Sequence, residues 1–132
     1  MSAAPESEEI EDPIEFFASL GGLRDVQING ITIDVAEQVL RVYVDDLYWH
    51  FEGSPDYPGE RPCALVFLGV SGVKIDFDMV DGLRISDVQV NENISAAQPF
   101  ALGITLNIGG TSPGGKSLVA MFNAAEIEDL ED

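Results

Sequence analysis

The sequence predicts a mainly β protein, α+β at most, built as an antiparallel β-sandwich or as a strongly curved, barrel-like sheet. Three observations support this fold class. Apolar and polar residues alternate with a period of two along most of the chain, turn residues separate the alternating segments, and only one short segment carries helix signals. Together they predict about eight strands and one short N-terminal helix.

The chain length fits one domain with acidic ends. We expect residues 1–11 to be a disordered acidic N-terminal tail, residues 12–125 to be a single β-rich domain, and residues 126–132 to be an acidic C-terminal tail. The helix is predicted to start just after the first tail. Asp12 can cap it, Pro13 suits its first position, Glu15 completes a capping box, and Gly21 and Gly22 end it.

Alternation then marks the strands, at residues 25–29, 31–35, 40–45, 73–79, 83–90, 100–108 and 118–122. The second and third should form a hairpin that turns at residues 36–38. Residues 64–68 are apolar on both faces, which predicts a central strand. The alternation slips by one residue near Ser86 and Asp87, where we expect a β-bulge. Residues 52–62, with three prolines, predict a rigid surface loop.

The charge is unusually negative, with 24 acidic against 6 basic side chains and a net charge of -18. Such a field repels phosphate backbones and anionic lipid and attracts basic proteins, which disfavours nucleic-acid and membrane binding. No apolar stretch approaches the roughly 18 residues of a membrane span. The N-terminus is acidic, unlike a secretory signal, and the single cysteine excludes an internal disulfide, so a cytoplasmic protein is the simplest interpretation.

Two kinds of residue are candidates for partner binding. Tyr48 and Tyr57 belong to the one aromatic cluster, in which we place Trp49 and Phe51 in the core and the two tyrosines at the surface. Carboxylates on polar strand faces could converge on one acidic sheet surface, partly offset by basic residues; they are Asp34, Asp45, Asp76, Asp78 and Asp87. The alternative is a solvated face with cross-strand ion pairs.

Three motifs suggest chemistry but lack its context. Gly110, Gly115, Lys116 and Ser117 match the phosphate-loop pattern, yet too little chain follows for a nucleotide-binding domain, so a chance match in a hairpin loop is the better interpretation. The segment from Asp76 to Gly82 lacks the ligand spacing of a calcium loop. Cys63 and His50 are the only residues of their types, and a structural thiol is favoured over a nucleophile with its base. We expect no cofactor.

A series of apolar and turn residues resembles small bacterial β-rich families, some of them polymorphic-toxin immunity proteins of the type called immunity protein 50. The resemblance covers about residues 22–92 and is carried by Leu23, Val26, Ile28, Ile31, Ile33, Asp34, Leu40, Val42, Pro55, Tyr57, Pro58, Val66, Phe67, Gly69, Val70, Val73, Ile75, Asp76, Ile85, Asp87 and Val88. It implies a cytosolic inhibitor that binds a toxin domain, and it transfers no catalytic residue.

These observations leave three hypotheses about function. The first is a non-enzymatic, acidic protein-binding module that neutralises or scaffolds a partner, for example a basic toxin. The second is a structural or assembly subunit that forms a homodimer through a sheet edge. The third is a carboxylate-based binder of divalent metal ions.

Overall fold

A computed structural model describes residues 7–48, 53–55, 57, 59–76, 83–108 and 117–130. These residues contain nine strands, one α-helix and one 3₁₀ turn. Their bounds, in chain order, are β1 Ser7–Ile10, α1 Pro13–Ser19, the 3₁₀ turn Gly21–Leu23, β2 Ile28–Asp34, β3 Val39–Val44, β4 Cys63–Leu68, β5 Ser71–Asp76, β6 Leu83–Glu92, β7 Phe100–Ile108, β8 Ser117–Phe122 and β9 Ala124–Asp129.

The strands form two antiparallel sheets, one in the order β1-β9-β4-β3-β2 and the other in the order β5-β8-β7-β6. The prediction of a mainly β fold is confirmed. Of the two predicted architectures the structure is the sandwich, because the sheets do not close into a barrel. At one corner the segment just before β2 is hydrogen bonded to the other sheet, since Ile85 N of β6 donates to the Val26 carbonyl over 2.8 Å.

The chain crosses between the sheets twice at neighbouring points. β4 passes to β5 through Gly69, and β8 passes to β9 through Asn123, whose backbone N–H donates to the Leu68 carbonyl over 2.8 Å. Gly69 has a φ of +65°, and a Cβ added to it would lie 3.0 Å from the Asn123 Cβ. Glycine is therefore required here both by the backbone conformation and by the close approach of the second crossing.

The core lies between the sheets and is centred on β4, which confirms that residues 64–68 form a central strand. Phe17 of α1 stacks on Phe67 of β4 with ring centroids 6.2 Å apart, and Phe67 meets Phe122 of β8 edge-on at 5.0 Å. All three rings are buried almost completely. Helix, first sheet and second sheet are thus joined by one aromatic contact series.

Several local predictions are confirmed. The Asp12 side chain accepts from Glu15 N, and Pro13 opens α1, which ends at Ser19 just before the two glycines. β2 and β3 form the expected hairpin, and Asp34 caps its turn by accepting from Glu37 N. The register of β6 against β7 shifts between Ile85 and Asp87, where the bulge was expected.

The predicted tails differ from the structure. Residues 7–10 of the predicted N-terminal tail form strand β1, and residues 126–129 of the predicted C-terminal tail belong to strand β9. The two strands pair with each other from Ser7 opposite Glu128 to Ile10 opposite Ala125. β9 also pairs with β4. β1 buries Ile10, and β9 buries Ala125 and Ile127. The backbone pairing and the burial of these apolar side chains outweigh the acidic composition of the two segments.

Candidate protein-binding surface

The pairing of β1 with β9 brings the two acidic ends of the chain to one edge of the five-stranded sheet. β1 is the terminal strand of that sheet, and the start of α1 follows it directly. We call the resulting surface the acidic edge. It consists of eight carboxylates, from Glu8, Glu9, Glu11, Asp12, Glu15, Glu126, Glu128 and Asp129.

Two carboxylates of the acidic edge face each other directly. Glu9 and Glu126 are register partners of β1 and β9, so their side chains leave the same face of the sheet as neighbours. Arg41 of β3 forms its ion pair across β4 with Glu128, not with Glu9 or Glu126; its Nε lies 3.7 Å from Glu128 Oε1. Like charges placed directly opposite each other destabilise a sheet, so the structure holds an unfavourable pair at an accessible position.

A cleft of about 460 Å³ lies between β1 and the first turn of α1. Its lining consists of Glu8, Glu9, Ile10, Glu11, Asp12, Glu15 and Phe16. Five of these seven residues are acidic, while Ile10 and Phe16 provide an apolar floor. This composition suits a lysine or arginine side chain, whose alkyl stem needs apolar contact and whose charged end needs carboxylates.

Arg61 borders the acidic edge, and all three nitrogens of its guanidinium group donate hydrogen bonds to side chains. Its Nε and Nη2 donate to the two oxygens of Asp129 at 2.7 and 3.2 Å, Nη2 also reaches Glu8 at 3.2 Å, and Nη1 donates to the Tyr48 hydroxyl at 2.8 Å. The hydrogen bonds from Arg61 hold the pKa of Asp129 below its usual range. The same hydrogen bonds are the main reason that the pKa of Arg61 is raised. Arg61 therefore joins β1, β9 and the loop before β4, and has little capacity left for a ligand.

Asp46 supports the same loop from inside. It is the one buried charged residue among those that the structure describes, with 2% of its surface exposed. Its Oδ1 accepts from the backbone N–H groups of Tyr48 and Arg61 at 3.0 and 3.1 Å, and its Oδ2 accepts from the Tyr57 hydroxyl at 2.5 Å. Asp46 thus fixes the position of both tyrosines and of the Arg61 backbone.

Tyr48 and Tyr57, predicted as surface contacts, come together around Arg61 and Asp46. Both are half-buried, and both hydroxyls make the hydrogen bonds given above. The Arg61 guanidinium carbon also lies 5.8 Å from the Tyr48 ring centroid. In the structure the two tyrosines stabilise the loop before β4. Trp49 and Phe51 lie outside the described residues.

The predicted acidic sheet surface is not one surface. Asp34 ends β2 of the five-stranded sheet, and Asp45 directly follows β3 of the same sheet and accepts from Gln27 N. Asp76 of β5 and Asp87 of β6 belong to the other sheet. Asp78 lies outside the described residues. Alternation showed that these side chains leave the polar side of their strands, but not that the strands fall in different sheets.

The remaining candidate motifs give no assembled site in the described part of the chain. Cys63 is completely buried, and burial raises the pKa of its thiol to about 12, so it is a poor nucleophile; His50 is outside the described residues. Ser117 begins β8, a strand where phosphate-loop chemistry needs a helix, and Gly110, Gly115 and Lys116 are not described. No group of three or more histidine, cysteine or acidic side chains is arranged to hold a metal ion within the described ranges.

Sequence reasoning missed the pair Glu9 and Glu126, the cleft, and the role of Arg61. The only available signal was charge, since all 11 acids of the two ends occur without a base. Charge alone predicts two independent tails. What unites them is a pairing between residues more than a hundred positions apart, which local periodicity does not report.

Comparisons with known proteins identify no relative. No protein-family model matches the chain, and no curated protein and no solved structure is significantly similar to it. The resemblance to toxin immunity proteins therefore stays a prediction. Within the described residues, no helix has the length and apolar character needed to cross a membrane.

Proposed function

We propose that this chain is a non-enzymatic binding protein that docks a basic protein through the acidic edge. The observation that carries the proposal is the direct opposition of Glu9 and Glu126 across β1 and β9. A pair of like charges costs stability in the free protein, and a cation supplied by a partner would turn that cost into attraction.

Two further features of the same surface support docking. The outer side of β1 is unpaired by any described strand, so its backbone groups can receive an extended segment as an added strand. The cleft beside it combines carboxylates with Ile10 and Phe16. A partner segment with alternating basic and apolar residues would match both. A basic toxin domain is one such partner, and it is the class that the sequence resemblance implies.

The test is a titration with a labelled oligoarginine peptide, followed by fluorescence anisotropy at several salt concentrations. The double variant Glu9→Gln/Glu126→Gln should bind the peptide about twofold to thirtyfold more weakly, since exposed ion pairs contribute about 0.2–1 kcal/mol each. The matched control is Asp76→Asn/Glu92→Gln, which makes the same change in net charge on the other sheet. Its affinity should fall much less.

Either of two results would overturn the proposal. Equal weakening by both double variants would mean that total charge, not the acidic edge, attracts the peptide. Absence of binding by the unmodified chain at low salt would remove the surface altogether. The free Glu9→Gln/Glu126→Gln variant should also unfold at a higher denaturant concentration than the unmodified chain, which separates a binding role from a purely structural one.

A further inference from the structure

The opposite edge of the five-stranded sheet has a contrasting chemistry. β2 is its terminal strand, and Asp34 is the only charged residue between Ile28 and Asp34. Ile33 is 48% exposed and Val35, just beyond the strand, is 83% exposed. We call the unpaired side of Ile28–Asp34, together with Val35, the β2 edge.

Natural sheets protect their edges with charges, bulges or covering segments, because an open apolar edge pairs with other chains. The other three described edges follow this rule. β1 carries Glu8 and Glu9, β5 ends in Lys74 and Asp76, and the start of β6 is hydrogen bonded to Val26. The start of the β2 edge is protected, because a bulge lies between Ile28 and Gly30 and Gln27, just before β2, bridges to Arg84 of β6. From Ile31 to Val35, however, Asp34 is the only charged residue and no described strand pairs with this side, although the chain has a net charge of -18.

We propose that the β2 edge is a self-association surface, through which two copies of this chain pair antiparallel and extend the five-stranded sheet across a two-fold axis. A second copy is the occupant that fits, because it brings a neutral edge to a neutral edge. A basic partner would find one carboxylate there and many at the acidic edge. This dimer is independent of the proposed function, because it uses the far edge of the sheet and leaves both acidic edges free.

The sequence of β2 is self-complementary in one register. A two-fold axis beside Thr32 places Ile31 of each copy opposite Ile33 of the other, and Asp34 opposite Gly30. This register contains two cross-strand pairs of Ile31 with Ile33, and it places no carboxylate opposite another carboxylate. Aliphatic cross-strand pairs of this kind stabilise a sheet, and the contact buries the side chains of Ile33 that are now in water.

The salt dependence of the dimer is the reverse of that of basic-partner binding. Two chains of charge -18 repel each other, and salt screens this repulsion, so dimerisation should strengthen between about 0.05 and about 0.5 M NaCl. Binding of a basic peptide should weaken over the same range. Failure of one proposal is therefore visible separately from failure of the other.

The experiment is sedimentation velocity on the full chain at high salt. The unmodified chain should sediment as a species of twice 14.2 kDa. Ile33→Lys should raise the dissociation constant at least about tenfold, because a buried lysine replaces the apolar contact. The matched control is Ile94→Lys, an identical charge change at a fully exposed isoleucine outside the β2 edge, which should leave the dimer intact.

A second variant tests the register without depending on stability. Thr32→Cys should form a disulfide-linked dimer under a mild oxidant, because the two-fold axis brings the two Thr32 positions together. Thr105→Cys, at an exposed threonine in the middle of the other sheet, should not. A monomer at high salt in the unmodified chain, or equal effects of Ile33→Lys and Ile94→Lys, would overturn the proposal. Equal cross-linking of the two cysteine variants would overturn the register.

Discussion

At the scale of single residues, the acidic edge shows how one base can organise several acids. Arg61 is the only basic residue in contact with Asp129 and Glu8 in the described structure, and its planar guanidinium meets Asp129 with two parallel hydrogen bonds. Its remaining donor goes to Tyr48. Because these partners come from β1, from β9 and from the segment after β3, Arg61 links parts of the chain that are distant in sequence.

The Arg61–Asp129 contact should make stability depend on pH in a definite direction. Since Arg61 lowers the pKa of Asp129 in the folded state, the stabilisation is fully present above the ordinary carboxyl pKa of about 3.9 and is lost as the pH falls through the lowered value. Arg61→Gln should therefore be less stable than the unmodified chain near neutral pH, and the difference should shrink in acid. Urea unfolding midpoints at a series of pH values measure this.

The conservative variant Arg61→Lys serves as the control for that experiment. Lysine keeps the charge but cannot donate two parallel hydrogen bonds, so it should recover only part of the difference. A gap between Arg61→Gln and the unmodified chain that stays constant from neutral pH to strong acid would contradict the assigned contact.

At the scale of elements, strand β1 separates what the sequence reveals from what it conceals. The central strand β4, the hairpin of β2 and β3, the cap of α1 and the bulge in β6 each depend on local patterns: an apolar run, alternation around a turn, an Asp-Pro start, and a slipped period. β1 has four residues, of which Ile10 alone is apolar. Its strand state comes from pairing with β9, and no local pattern encodes that pairing.

The strand state of residues 7–10 can be tested with one substitution. Ile10 is 6% exposed and packs in the core, so Ile10→Ala should lower the free energy of unfolding by about 2 kcal/mol or more, as expected for truncation of a buried isoleucine. In a disordered tail the same change would have no effect. Ile94→Ala, at a fully exposed position, is the control and should leave the urea midpoint unchanged.

The candidate site was less predictable than the fold for the same physical reason. The charge of both chain ends was evident, and it predicted a basic partner. The surface itself depends on the β1–β9 pairing and on the placement of Asp34 and Asp76 in different sheets. Strand order follows from long-range packing, whereas alternation reports only which side of its own strand a residue occupies.

At the scale of the whole molecule, the charge of -18 opposes compactness, and among the residues that the structure describes only three ion pairs offset it. Folding brings the carboxylates closer together than they are in the unfolded chain, so their mutual repulsion should destabilise the folded state. Added salt screens charges beyond about 10 Å at about 0.1 M, which relieves the repulsion. We therefore expect the melting temperature to rise from low to moderate NaCl concentration.

Dimerisation would also raise the melting temperature with salt, because association stabilises the folded state. The measurement is therefore best made on Ile33→Lys, in which we expect the β2 edge to be blocked, and at several protein concentrations. A rise that does not depend on protein concentration reports relief of repulsion within one chain. A melting temperature that falls with salt would mean instead that the contacts of Arg61 and Arg41 with their carboxylates contribute more than the carboxylates' mutual repulsion removes.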